Sequence, residues 1–138
     1  MPRILAIDYG GKRTGLAVTD PMQIIATGLA TIESRELIPY LEKYLHAESV
    51  ELIVIGLPKN WDESDTHGTP LVAAAIIKLK KAFPQIPIKT VDERYTSKMA
   101  KDAMLQMGMK KKDRRVKGNV DIIAATIILQ EYLQSTGN

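Results

Sequence analysis

The sequence predicts an α/β domain built on a mixed five-stranded sheet with helices on its faces. Three observations carry this. Three short strand-like runs follow one another closely at the start. Two further apolar runs then alternate with segments of helical period. A long helix, apolar nearly all round, comes last. The 138 residues, 45% hydrophobic and 25% charged, are enough for a single domain spanning 1–138 and one moderate core.

Arg3–Asp8 is short, apolar and partly β-branched, and Gly10-Gly11 punctuates it. Thr14–Thr19 reads as a second strand and Gln23–Thr31 as a weaker third. The gaps are too short for parallel crossovers, so the first three strands are expected to be antiparallel neighbours. Leu37, Ile38, Leu41, Tyr44 and Leu45 recur at helical spacing, with Pro39 tolerable near the helix start. Val50–Gly56 is an apolar run ending in glycine, as in a buried parallel strand. After a polar loop, Thr69-Pro70 opens a helix whose apolar face is read as Leu71, Ala74, Ala75 and Leu79. Ile86–Val91 is a strand, with Pro87 at its beginning. Ala100, Ala103, Met104 and Met107 fit a helix ended by Gly108. Asn119 is read as the cap of a last, buried helix running to about Tyr132.

Composition narrows the function. No apolar run approaches the ~20 residues a membrane span needs. The segment MPRILAIDYG lacks the apolar stretch of a signal peptide, and the chain has no cysteine. A cytoplasmic location is the expectation. The net charge is +3, but Lys110–Lys117 (KKKDRRVK) holds six basic residues against one acid, so the rest of the chain is net negative. That local basicity suits a polyanion. It also suits an ordinary solvated loop, which glycines at 108 and 118 would bracket.

Three carboxylates stand out. Asp8 ends a strand that should be central, where a charge is costly unless paired or bound to a metal. A salt bridge to Lys12 or Arg13 is the plain alternative. Gly10 and Gly11 would let a phosphate backbone approach. Asp92 and Glu93 end another strand, and alternation sends them to opposite faces, so only one would face a site. Asp121 opens the last helix, where the helix dipole alone could account for it. Oxygen donors, no cysteine, and only His46 and His67 as imidazoles point to a hard cation, Mg²⁺ or Mn²⁺. Two such ions about 4 Å apart could activate water against a phosphodiester. His67 and the single tryptophan, Trp61, lie in the polar loop; the indole could stack on a base or anchor the loop. DYGGKRTG lacks Walker spacing, and no G-x-S-x-G elbow is present.

Taken together, DYGGKRTGLAVTD (Asp8–Asp20), IVIGLPKN (Ile53–Asn60), VDERYTS (Val91–Ser97) and NVDIIAATIILQEYL (Asn119–Leu133) resemble the YqgF (RuvX) family of RNase H-like proteins. That family is described as Holliday junction resolvases and pre-16S rRNA nucleases. The likeness runs from about Arg3 to Leu133. It implies an RNase H-like fold and an acidic catalytic metal site at Asp8, Glu93 and Asp121. It also implies phosphate contacts from Lys12, Arg13, Arg94 and Thr96. One departure is the NWDESD stretch after Pro58, where the family often has a glycine-containing NxDG-like segment.

The resulting expectation is a metal-dependent nuclease that processes the 5′ end of pre-16S rRNA, with Lys111, Lys112, Arg114 and Arg115 gripping the phosphate backbone. Resolution of branched DNA is the alternative within the same chemistry, and it would favour a two-fold homodimer. Structured or single-stranded RNA and branched DNA are the candidate substrates. A different class remains open: a non-catalytic nucleic-acid binder, or a nucleotide binder, since DYGGKRTGLAV also resembles the first phosphate loop of actin-like sugar kinases.

Overall fold

A computed structural model describes residues 2–57, 69–92 and 117–135. In chain order the elements are β1 (Arg3–Tyr9), β2 (Arg13–Thr19), β3 (Ala26–Glu33), a 3₁₀ turn (Ser34–Glu36), α1 (Leu37–Ala47), β4 (Val50–Leu57), α2 (Thr69–Ala82), β5 (Ile88–Asp92) and α3 (Lys117–Ser135). The helix expected over 100–107 lies outside the described residues. Among those residues the strands form one sheet, ordered β3-β2-β1-β4-β5. β1, β2 and β3 are mutually antiparallel, whereas β4 is parallel to β1 and β5 to β4. The mixed five-stranded sheet and the central place of β1 are therefore as the sequence predicts.

Alternation along the strands divides the core into two layers. Leu5 and Ile7 of β1, Leu16 and Val18 of β2, and Ile53 and Ile55 of β4 pack with Leu37, Leu41, Val72 and Leu79 of α1 and α2. Ile4, Ala6, Ala17, Leu52 and Val54 face the other way, against Ala125, Ile128 and Leu129 of α3. Leu5, Ile7, Leu16, Ile53, Ile55 and Leu129 are fully buried. α3 touches all five strands, which explains why its sequence is apolar nearly all round. No helix among the described residues is long and apolar enough to cross a membrane.

Four elements differ from the sequence reading; in one, β5 begins at Ile88, so Ile86 and Pro87 precede the strand instead of opening it. β3 begins at Ala26 rather than Gln23 and runs on to Glu33, which pairs with Arg13. The cause is Asp20. Its carboxylate accepts the backbone N–H groups of Met22, Ile24 and Ile25, and Gln23 closes the turn at φ 60°. Those hydrogen bonds, with Ile25 foremost, hold the Asp20 carboxyl below the ordinary aspartate range. Residues 20–25 are thus a closed turn, and Ile24 and Ile25 are exposed instead of strand-paired. On α2 the buried face is Val72, Ala75 and Leu79, while Leu71 is exposed. Ala75 and Leu79 are buried as expected, whereas Leu71 and Ala74, also expected on that face, are exposed, and Val72 takes the place of Leu71. α3 starts at Lys117, so Asn119 lies inside the helix instead of capping it, and Lys117 is helical rather than part of a loop.

Glu131 of α3 is partly buried, and desolvation pushes its carboxyl above the ordinary range. A raised folded-state value means that folding favours the protonated form. Its contribution is full below the unfolded value and is lost as pH rises through the folded one. Glu131→Gln is therefore expected to raise the melting temperature at neutral pH, with the gain vanishing near about pH 4. Melts at the two pH values check this, and an equal gain at both would contradict it.

Candidate functional site

The sheet's alternation assigns Asp8 to the α3 layer, following Ile4 and Ala6 on β1. On β2, Arg13 and Gly15 precede Ala17 on the same face. Asp8 and Gly15 are register partners across the β1–β2 ladder. α3 comes down on this pair. A β-carbon added to Gly15 would sit 2.0 Å from the Asp121 carbonyl oxygen and 3.1 Å from the Asp121 Cβ. Only a residue without a side chain lets the helix backbone approach so closely. Asp121 is thereby set over the sheet beside the position of Asp8. Asp121 therefore docks over the register partner of Asp8, on the sheet face to which alternation assigns Asp8. No group of three or more His, Cys, Asp or Glu residues placed to hold a metal occurs among the described residues. Glu93 lies outside those residues, as do Arg94, Thr96, Lys111, Lys112, Arg114, Arg115, Trp61 and His67.

Arg13 supplies the local positive charge. Its Nε donates to Asp121 Oδ2 at 3.2 Å, with side-chain exposures of 40% and 23%. Arg13 was expected to serve phosphate or to pair with Asp8; its partner here is Asp121. Helix-dipole stabilisation is a weaker account of Asp121 than the start at Asn119 suggested. It is the fifth residue of α3, beyond the first turn. Arg13 was visible as a phosphate candidate, but its pairing joins residues 108 positions apart and leaves no local sequence signal.

The β1–β2 turn is fastened from the opposite layer. Ser34 is buried and donates its hydroxyl proton to the Gly10 carbonyl. Thr14, also buried, must then donate to Ser34 Oγ, 2.8 Å away, because a hydroxyl has one proton. The Ser34 N–H donates to the Lys12 carbonyl at 2.8 Å. Neither Thr14 nor Ser34 was singled out from sequence. A polar residue within a buried strand was the available signal. Fixing this turn holds Lys12, which is exposed, at the mouth of an open hollow of about 520 Å³ lined by Gly11, Lys12, Arg13, Glu33 and Arg35. Three cations against one acid suit a phosphate backbone passing beside Asp121. His46 is exposed on α1, and nothing places it in this site.

Known proteins match this chain along its length. A protein of Phocaeicola vulgatus named "Putative pre-16S rRNA nuclease" is 50% identical over 135 residues, which cover 98% of this chain and 97% of the relative. The Fowlpox virus resolvase, solved with its substrate Holliday junction DNA, superposes with a TM-score of 0.59 at 15% identity, over 99% of both chains. T. thermophilus RuvC in complex with a Holliday junction substrate gives 0.56 at 14% identity, over 99% of this chain and 97% of that one. At such identities these structures speak for the fold, which is RNase H-like. The model of the RuvX family, described as "Holliday junction resolvase", matches residues 2–135, and the chain belongs to that family.

Proposed function

We propose that this protein is a metal-dependent nuclease that hydrolyses phosphodiester bonds in the 5′-end processing of pre-16S rRNA. The observation that supports the reading is the docking of Asp121 over Gly15, the register partner of Asp8 on the central strand. The donors are carboxylate oxygens in a chain without cysteine, and they fit Mg²⁺ or Mn²⁺. Asp8 and Asp121 would hold the cation, joined by Glu93, which stands two positions after Val91, a residue of the α3 layer. Such an ion would supply Lewis-acid polarisation of the phosphoryl oxygen and lower the pKa of an attacking water.

The chain's own groups do the rest. Lys12 and Arg13 attract and orient the phosphate backbone along the hollow, and Gly11 leaves room for it. Arg94 and Thr96 add contacts by their place in the family motif. Lys111, Lys112, Arg114 and Arg115 supply salt-sensitive affinity rather than chemistry. The names of close relatives favour the RNA substrate. Branched DNA is the second reading, because the two solved resolvases hold junction DNA.

The test is incubation with precursor 16S rRNA and with a four-way junction, each with Mg²⁺ or with excess chelator. The expected result is Mg²⁺-dependent cleavage of the precursor in preference to the junction. Junction cleavage alone would favour the second reading. Binding without cleavage of either would replace the nuclease with a non-catalytic binder.

A further inference from the structure

We propose that Arg13 is a place-holder for the metal: it neutralises Asp121 in the metal-free protein, leaves when a divalent ion takes that carboxylate, and then turns to the substrate phosphate. This rests on the reading of Asp8 and Asp121 as metal ligands. Arg13 and Gly15 stand on the same face of β2, and Asp121 lies across from both. Two acidic side chains at one level of the sheet repel each other unless a cation lies between or beside them. The Nε contact at 3.2 Å supplies that cation from within the chain. The guanidinium is partly exposed and also lines the hollow with Lys12 and Arg35. It can therefore change partners by side-chain rotation, without moving the backbone.

The physical argument for exchange is competition. A guanidinium and a divalent ion on one carboxylate repel each other, so metal binding is opposed by Arg13 until it departs. Removing a single positive charge at about 5 Å from a divalent ion in a largely hydrated site should tighten metal binding roughly 3- to 10-fold. Once released, a guanidinium is well suited to phosphate, which it can bind through two parallel N–H groups. Metal and nucleic acid then bind cooperatively, each increasing the affinity of the other by the same factor. A purely structural ion pair makes the opposite prediction for metal: its loss would loosen the site and weaken binding.

The experiment measures Mn²⁺ affinity by calorimetry for the wild type, Arg13→Gln, Arg13→Lys and Asp121→Asn. Arg13→Gln should bind Mn²⁺ roughly 3- to 10-fold more tightly and melt lower in chelator. Arg13→Lys, which keeps the charge, should stay near the wild-type affinity. Equal or weaker Mn²⁺ binding by Arg13→Gln, with wild-type binding intact, would overturn the exchange. Unchanged Mn²⁺ binding by Asp121→Asn would instead overturn the metal-site reading, and the exchange with it. A second measurement uses only the wild type and is independent of how the variants fold. The Nε–H proton resonance of Arg13 should shift or broaden on saturation with Mg²⁺, as its acceptor changes. A resonance unmoved by saturating Mg²⁺ would overturn the proposal.

Discussion

Gly15→Ala is expected to lower the melting temperature by about 10 °C and to abolish cleavage even at temperatures where the variant stays folded. The added methyl would lie 2.0 Å from the Asp121 carbonyl oxygen and 2.4 Å from its carbon, and both atoms belong to helix backbone. No rotamer relieves that contact, so α3 must lift from β2 or the β1–β2 ladder must open. Overpacking costs typically 1–3 kcal/mol, and a backbone clash of this kind belongs at the top of that range. For a chain of this length, about 3 kcal/mol corresponds to roughly 10 °C. Activity suffers separately, because lifting α3 carries Asp121 away from Asp8. Gly28→Ala provides the comparison. Its added carbon would lie 2.4 Å from Ile122 Cγ2, a side-chain methyl rather than helix backbone, and relieving it takes a χ1 change in a β-branched residue that is stiff in a helix. That variant should melt about 6 °C below wild type, a cost of about 2 kcal/mol and smaller than for Gly15→Ala. Equal losses for the two, in paired thermal melts, would show that α3 does not sit on β2 as closely as described.

The second large effect is on chemistry. Asp8→Asn and Asp121→Asn should each reduce cleavage by about 1000-fold or more, since removing a metal-binding charge forfeits several kcal/mol of transition-state stabilisation. Neither should unfold the protein. Asp8 is half-buried at a strand end, and the neutral amide is similar in shape. Removing one of two neighbouring negative charges also relieves repulsion. Single-turnover cleavage at saturating substrate, with melts on the same samples, checks both. Undiminished cleavage by a contaminant-free Asp8→Asn protein would remove Asp8 from the site.

Much of this architecture was legible because burial imposes periodicity. β1 and β4 are apolar runs since both of their faces are covered, and α3 is apolar nearly all round since it crosses the whole sheet. The antiparallel directions of the first three strands followed from gap lengths, and the parallel β4 from its unbroken apolar run. What failed depended on side-chain hydrogen bonds or on phase. The Asp20 turn displaced the start of β3, because a carboxylate capturing three N–H groups overrides the strand preference of Ile24 and Ile25. In α2, Leu71 and Val72 are equally apolar, so composition could not choose which would face β4. At the site, Asp8 and Asp121 were visible as charges in apolar surroundings. The role of Gly15 was signalled only by a glycine inside the apolar strand TGLAV, a sign of close approach. The Arg13–Asp121 pair could be found only in three dimensions.

The position of α3 has a consequence for the order of events during synthesis. The central strand that carries Asp8 is made well before the helix that carries Asp121. Until that helix docks, Ile4, Ala6, Ala17, Leu52 and Val54 form an uncovered apolar sheet face, and the two carboxylates are not yet neighbours. A nascent chain in which that helix has not yet docked therefore lacks the proposed juxtaposition of Asp8 and Asp121. Docking of the helix, burial of that sheet face and assembly of the proposed site become one event.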